Sequence, residues 1–154
     1  MNIVFLDFDG VVNTIQYMPH SNEVNFASPS DGFVNNRTAI ELVNMLCEKT
    51  ESNVVVSSSW RRHMTVDELR HLLKCSGFRG YVLDKTPVFK GNALRGDEIK
   101  QWVEDNYNIV SNFVILDDDD DMGEVMDRLV RCDSRYGFMF DEYVEACRKL
   151  GMER

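Results

Sequence analysis

The stretch Asn2-Ile3-Val4-Phe5-Leu6-Asp7-Phe8-Asp9-Gly10 is a short apolar run that breaks off into two acids and a glycine. A run of this length bounded by a turn signal reads as a buried strand, which places Asp7 and Asp9 at the strand's carboxyl end. The same phrase returns further along. Asn53 to Ser57 carries three consecutive valines and stops in Ser57-Ser58-Ser59, and Asn112 to Leu116 stops in the acidic run Asp117 to Asp121. Between these runs the apolar residues recur at helical spacing. Ala39, Ile40, Val43 and Leu46 predict a helix over about 36 to 49, started near Asn35 or Asn36. Thr65 with Glu68 forms a capping box for a second helix that stops near Gly77, and Asp97 and Glu98 favour the start of a third, with Ile99 and Trp102 inward. Short strands are expected at about Gly80 to Leu83 and, on an edge, Leu129 to Cys132. A last helix runs from Asp141 as N-cap to Leu150, with Gly151 as its C-terminal cap.

Strands alternating with helices argue for an α/β fold with a mainly parallel sheet, because parallel neighbours need crossovers of this length. The ligand crevice of such a sheet lies beyond the carboxyl ends of its strands, where all three polar clusters would converge. At 154 residues and 44% hydrophobic composition, with no repeat or linker, the chain reads as a single domain over 1–154. Its formal charge of −9 supplies no global field toward nucleic acid or anionic lipid, so a phosphate-rich partner must be met by a local basic patch. Neither a signal peptide nor a membrane span is indicated, and nothing in the sequence calls for an obligate protein partner. Cys47, Cys75, Cys132 and Cys147 are scattered without a CxxC pair, which fits reduced, buried cysteines in a cytoplasmic chain. Residues 13–34, rich in Asn, Ser, Pro and Gly, read as a long loop near the site, where Tyr17, Phe26 and Phe33 either contact substrate or tether the loop. His20, His63 and His71 show no ligand spacing and read as surface residues.

Asp7, Asp9, Asp117 and Asp118 in one crevice would repel strongly, by about 4 kcal/mol per pair of charges 4 Å apart at an effective dielectric near 20. They require a cation. Oxygen ligands without His or Cys suit a hard ion, and a few carboxylates with room for water and phosphate suit Mg²⁺. An EF-hand reading of Asp117, Asp119 and Asp121 is set aside, because Met122 stands at the glycine position and an apolar strand precedes the run. A carboxylate beside the metal can attack a phosphoryl group, and a second carboxylate can shuttle the protons. Ser58, Arg95 and Lys90 are the candidates for holding and neutralising the phosphate.

Phe5 to Val11 resembles the first motif of the haloacid dehalogenase (HAD) superfamily of phosphohydrolases; Val54 to Ser59 and Val114 to Asp121 resemble its second and fourth. The resemblance spans nearly the whole chain and implies a three-layer Rossmann-like sandwich. It further implies Asp7 as nucleophile and magnesium ligand, and Asp9 as general acid and base that also binds metal through its carbonyl. Asp117 and Asp118 complete the metal site, with Asp121 a further ligand candidate. In the second motif Ser58 is favoured for phosphate, with Ser57 as the alternative. For the third-motif cation Arg95 comes first and Lys90 second, since Arg95-Gly96-Asp97-Glu98-Ile99 through Trp102 resembles a pattern of the HAD domain of Swiss-army-knife RNA-repair-like proteins. Ser59-Trp60-Arg61 is similar to a step of the same subgroup. Gly10, Ser59, Trp60 and Arg61 are accordingly taken as substrate contacts.

The intervals between motifs hold little more than this loop, one helix and a short strand, so a minimal cap or none is expected, with an open site. A bulky phosphorylated substrate such as a nucleic-acid end fits that opening; small esters fit it too. Trp60 could stack on a base while Arg61 and Arg62 take phosphate, or Trp60 could pack on the core with the arginines exposed. The leading function is a Mg²⁺-dependent phosphomonoesterase acting through an aspartyl phosphate. A nucleotide or small-metabolite phosphatase and a non-hydrolytic phosphate-binding module of the same fold stand beside it. A single basic patch of Arg61, Arg62, Lys85, Lys90 and Arg95 around the acids would mark a nucleic-acid enzyme.

Overall fold

The computed structural model describes residues 1–15 and 32–152. Strands β1 (Asn2–Leu6), β2 (Ser52–Val56), β3 (Val82–Lys85), β4 (Asn112–Asp117) and β5 (Leu129–Arg131) form a sheet in the order β3-β2-β1-β4-β5, parallel throughout. Helices α1 (Arg37–Thr50), α2 (Val66–Cys75), α3 (Arg95–Asp105) and α4 (Phe140–Lys149) make the crossovers, with short 3-10 turns at Ser59–Arg62 and Gly123–Arg128. The α/β reading and the edge position of β5 hold.

Successive strand residues feed opposite layers, which makes the architecture a three-layer sandwich. Val4, Leu6, Val54, Val56, Val114 and Leu116 pack with residues of α1, α2 and α4. Ile3, Phe5, Val55 and Ile115 pack on the other face with Ile99 and Trp102 of α3. Burial on both faces is why these strands are continuously apolar in sequence. Among the described residues no helix is long and apolar enough to cross a membrane.

Local chemistry sets most of the boundaries. Asn36 caps α1, its side-chain oxygen accepting from Ala39 N at 3.0 Å, and Thr65 caps α2. Gly151, at φ 84°, follows α4, and Met152 N donates back to Cys147 O as the expected cap requires. Three boundaries move. β3 starts at Val82 and runs through Lys85, because Arg79 N donates to Asn44 Oδ1 and the Arg79 guanidinium pairs with Glu41 and Glu48, holding the residues before Tyr81 on α1. The polar end of β3 is tolerated on an edge strand, where Asp84 accepts from Trp102 Nε1 and Lys85 Nζ donates to Arg61 O and Met64 O. α3 begins at Arg95, ahead of its acidic turn. Met139, not Asp141, is the N-cap of α4, its N–H donating to the Glu142 carboxylate.

Cys47, Cys132 and Cys147 are buried as expected, whereas Cys75, at the end of α2, is exposed. The long loop falls mostly on 16–31, outside the described residues, and so do Tyr17, His20 and Phe26; Phe33 is exposed. His63 and His71 are on the surface. Between Ser58 and Arg95 the chain builds only a 3-10 turn, α2 and β3, which belong to the three layers, so this interval contributes no cap.

Candidate active site

The sheet register brings the polar clusters side by side. Leu6 aligns with Val56 on one side and Leu116 on the other. One step further along, Ser57 N donates to Leu6 O, Asp7 N to Leu116 O and Thr86 N to Val56 O, each at 3.0 Å. Thr86, Ser57, Asp7 and Asp117 therefore form a row across the carboxyl ends of four strands, and the alternation of faces points it toward α3.

Asp7, Asp117 and Asp118 each offer a carboxylate oxygen within 4.8 Å of the others. Asp7 and Asp117 are buried and Asp118 is half-buried. Burial pushes the Asp7 carboxyl well above its ordinary range, with Asp117 and Asp118 adding to the shift and Arg95 opposing it. Asp117 is raised for the same first reason, against the Asp119 N–H that donates to it at 3.0 Å and against Arg95. Arg95 Nη1 lies 3.6 Å from Asp7 Oδ1 and donates to Ser57 O. One guanidinium beside three carboxylates leaves two negative charges uncompensated among these side chains. An all-oxygen donor set with that deficit fits a hard divalent cation.

Asp9 stands apart from the three carboxylates. It follows Phe8 into a tight turn in which Val11, Val12 and Asn13 N–H groups all converge on Phe8 O, and burial raises its pKa while Asn13 and Trp60 hydrogen bonds lower it. Gly10 holds φ 84°, and a Cβ there would come 2.4 Å from Asp118 Oδ2 and 2.8 Å from Asp118 Cβ. Gly10 thus acts by letting the first-motif turn pass beneath Asp118. Gly10→Ala is expected to cost at least ~1–2 kcal/mol through the left-handed backbone alone, read as a lower denaturant midpoint. Its displaced Asp118 carboxylate should also weaken divalent-cation binding in a calorimetric titration.

The remaining expectations divide. Arg95, not Lys90, reaches Asp7; Lys90 is exposed and makes no ion pair or side-chain hydrogen bond among the described residues. Ser58 Oγ accepts from Trp60 N and caps the 3-10 turn, whereas Ser57 Oγ is buried with no partner, so the free hydroxyl beside Asp7 belongs to Ser57. Thr86 Oγ1, next in the row, is likewise buried and unpartnered, and no sequence signal marked it. Asp121 is not in the carboxylate cluster; its side chain accepts from Arg95 N and its carbonyl from Gly96 N, fixing the start of α3. Ser59 is exposed.

Arg61 and Trp60 are corrections. Arg61 is among the largest fully buried side chains, donating to Thr86 O, Ser57 O, Ser58 O and Pro87 O and pairing with Glu98 at 2.5 Å, so it touches no substrate. Glu98 Oε1 also accepts from Phe89 N, so this buried pair ties the 3-10 turn, α3 and the loop after β3 together. Trp60 is 5% exposed, packs edge-on against Phe8 and cannot stack on a base. The basic patch that would mark a nucleic-acid enzyme is not exposed around the acids. Arg61 is spent internally and Lys85 on two carbonyls, Arg95 faces Asp7, and of the five only Arg62 and Lys90 are exposed.

Residues 3–142 of the 154 match the model of the family described as the HAD domain in Swiss Army Knife RNA repair proteins. No curated protein and no solved structure matches the chain.

Proposed function

Because the chain belongs to the family of HAD domains found in Swiss Army Knife RNA repair proteins, we propose that it is a phosphomonoesterase working through an aspartyl phosphate on Asp7. The observation that carries this reading is the row of Ser57, Asp7 and Asp117 at the strand ends, with Asp118 and Arg95 converging on the same carboxylate. Asp7, Asp117 and Asp118 would hold Mg²⁺, with the Asp9 carbonyl as a further ligand. When bound, the ion offsets the charge of the carboxylates and of the phosphoryl oxygens.

The side chains supply the rest. An Asp7 carboxylate oxygen attacks phosphorus as the bond to the ester oxygen breaks, and the Asp9 carboxyl gives its proton to the departing oxygen. Water then attacks phosphorus, Asp9 takes its proton, and the bond from phosphorus to Asp7 breaks to release inorganic phosphate. Arg95 and the Ser57 hydroxyl hold the phosphoryl oxygens, a role that satisfies the Ser57 group left unpartnered by the protein. An uncapped interval between Ser58 and Arg95 supports a bulky substrate, and the family description favours a nucleic-acid end. The commitment of Arg61 and Lys85 to internal partners favours recognition of the terminal phosphate itself over a long backbone track.

Phosphate release measured with Mg²⁺ from p-nitrophenyl phosphate and from oligonucleotides bearing a 3′ or 5′ phosphate tests the reading. Turnover is expected with metal and is expected to vanish on chelation. Preference for an oligonucleotide end supports the repair-type substrate, turnover of the small ester alone favours a metabolite phosphatase, and release that chelation does not affect overturns the metal-dependent mechanism.

A further inference from the structure

Both oxygens of the Asp9 carboxylate are held by N–H donors: Trp60 Nε1 donates to Oδ2 at 3.0 Å and Asn13 Nδ2 to Oδ1 at 2.9 Å. We infer that Trp60 is a positioning residue for proton transfer, which fixes the plane of the Asp9 carboxylate so that it delivers its proton to the leaving oxygen along one path. The inference rests on the reading of Asp9 as acid and base.

A carboxylate turns easily about its last torsion, a broad and roughly two-fold well. Donors on its two oxygens remove that rotation. A carboxylate offers about four lone-pair sites, so one clamp on each oxygen leaves sites free for the travelling proton. Neither donor can follow a turning carboxylate. The indole is locked edge-on against Phe8, with ring centroids 5.4 Å apart and planes at 81°, and Phe8 separates Asp7 from Asp9 in the chain. The Trp60 backbone N–H is taken by Ser58 Oγ, and the next residue, Arg61, is pinned to Ser57 O and Ser58 O. On the other side Asn13 is fully buried, and its Oδ1 accepts from Asn35 N at 3.2 Å, which orients the amide with its NH₂ toward Asp9. The 3-10 turn after β2 therefore serves the first-motif acid through an indole, where its sequence left a substrate platform and a core-packed Trp60 both open.

The test uses leaving groups. A p-nitrophenolate departs without a proton, whereas an alkoxide needs one, so loss of proton delivery slows an alkyl phosphate far more than p-nitrophenyl phosphate. kcat/KM isolates the first transfer, in which the alcohol leaves. Asp9→Asn sets the reference and is expected to lose ~10²- to 10⁴-fold on the alkyl ester, the range of general acid–base catalysis. Trp60→Phe, which keeps an aromatic ring on Phe8 and removes the donor, is expected to lose about tenfold on the alkyl ester and less than about threefold on p-nitrophenyl phosphate. If the ring change disturbs folding, 3-benzothienylalanine at position 60 retains the shape with sulfur in place of N–H and should show the same split. Equal losses on both esters, or none, in a protein whose Asp9→Asn variant shows the split would overturn the role of Trp60 and leave Asp9 in place. Absence of the split in Asp9→Asn itself would remove the acid–base reading and the inference with it.

Discussion

Asp7→Asn will abolish phosphate release while the protein unfolds at an unchanged or higher denaturant concentration. The substitution keeps the shape and removes the attacking oxygen's charge, and the loss should be on the order of 10⁶ in kcat, the scale seen when a covalent nucleophile is removed. The stability side follows from the surroundings of the group. Burial and the neighbouring Asp117 and Asp118 disfavour its ionised form by more than Arg95 favours it, so a neutral amide relieves repulsion that the folded state otherwise carries. Phosphate assays and unfolding curves on one preparation check both halves. Normal turnover would move the nucleophile elsewhere, and loss of folding would make the absence of turnover uninformative about chemistry.

Glu98→Ala should destabilise the protein by about 3–5 kcal/mol, since it leaves the buried Arg61 guanidinium without its counter-charge. With total stabilities of about 5–15 kcal/mol, that is a large share. Removing both charges together, as in Arg61→Met with Glu98→Leu, should cost much less, because no ion is left stranded. Urea midpoints of the two single variants and the double variant complete the cycle, and additive losses would show that the pair is not coupled.

The parts of the site that could be read from sequence are those tied to local pattern. Asp7 and Asp117 end apolar runs, and a parallel register then sets them side by side, so run length and turn signal sufficed. Ser57 and Ser58 could not be separated in that way. Adjacent residues at a strand end point to opposite faces, and one step in where the strand stops exchanges which hydroxyl meets Asp7. Trp60 and Arg61 were illegible for a different reason: their fates depend on partners distant in the chain, Asp9 for the indole and Glu98 for the guanidinium. A four-residue turn has no period from which burial can be inferred. The boundary of β3 was lost to the same kind of long-range contact, between Arg79 and α1.

The strand order has a consequence for assembly during synthesis. β1 pairs with β4, aligning Asn2 with Asn112, so the central ladder waits for most of the chain, and contacts of such sequence separation form slowly. Asp7 is therefore made together with β1, whereas Asp117 and Asp118, which complete the carboxylate cluster, arrive only with β4. On the proposed reading, a form without β4 holds no complete carboxylate cluster, so cleavage of a phosphate ester is expected only once the centre of the sheet has closed.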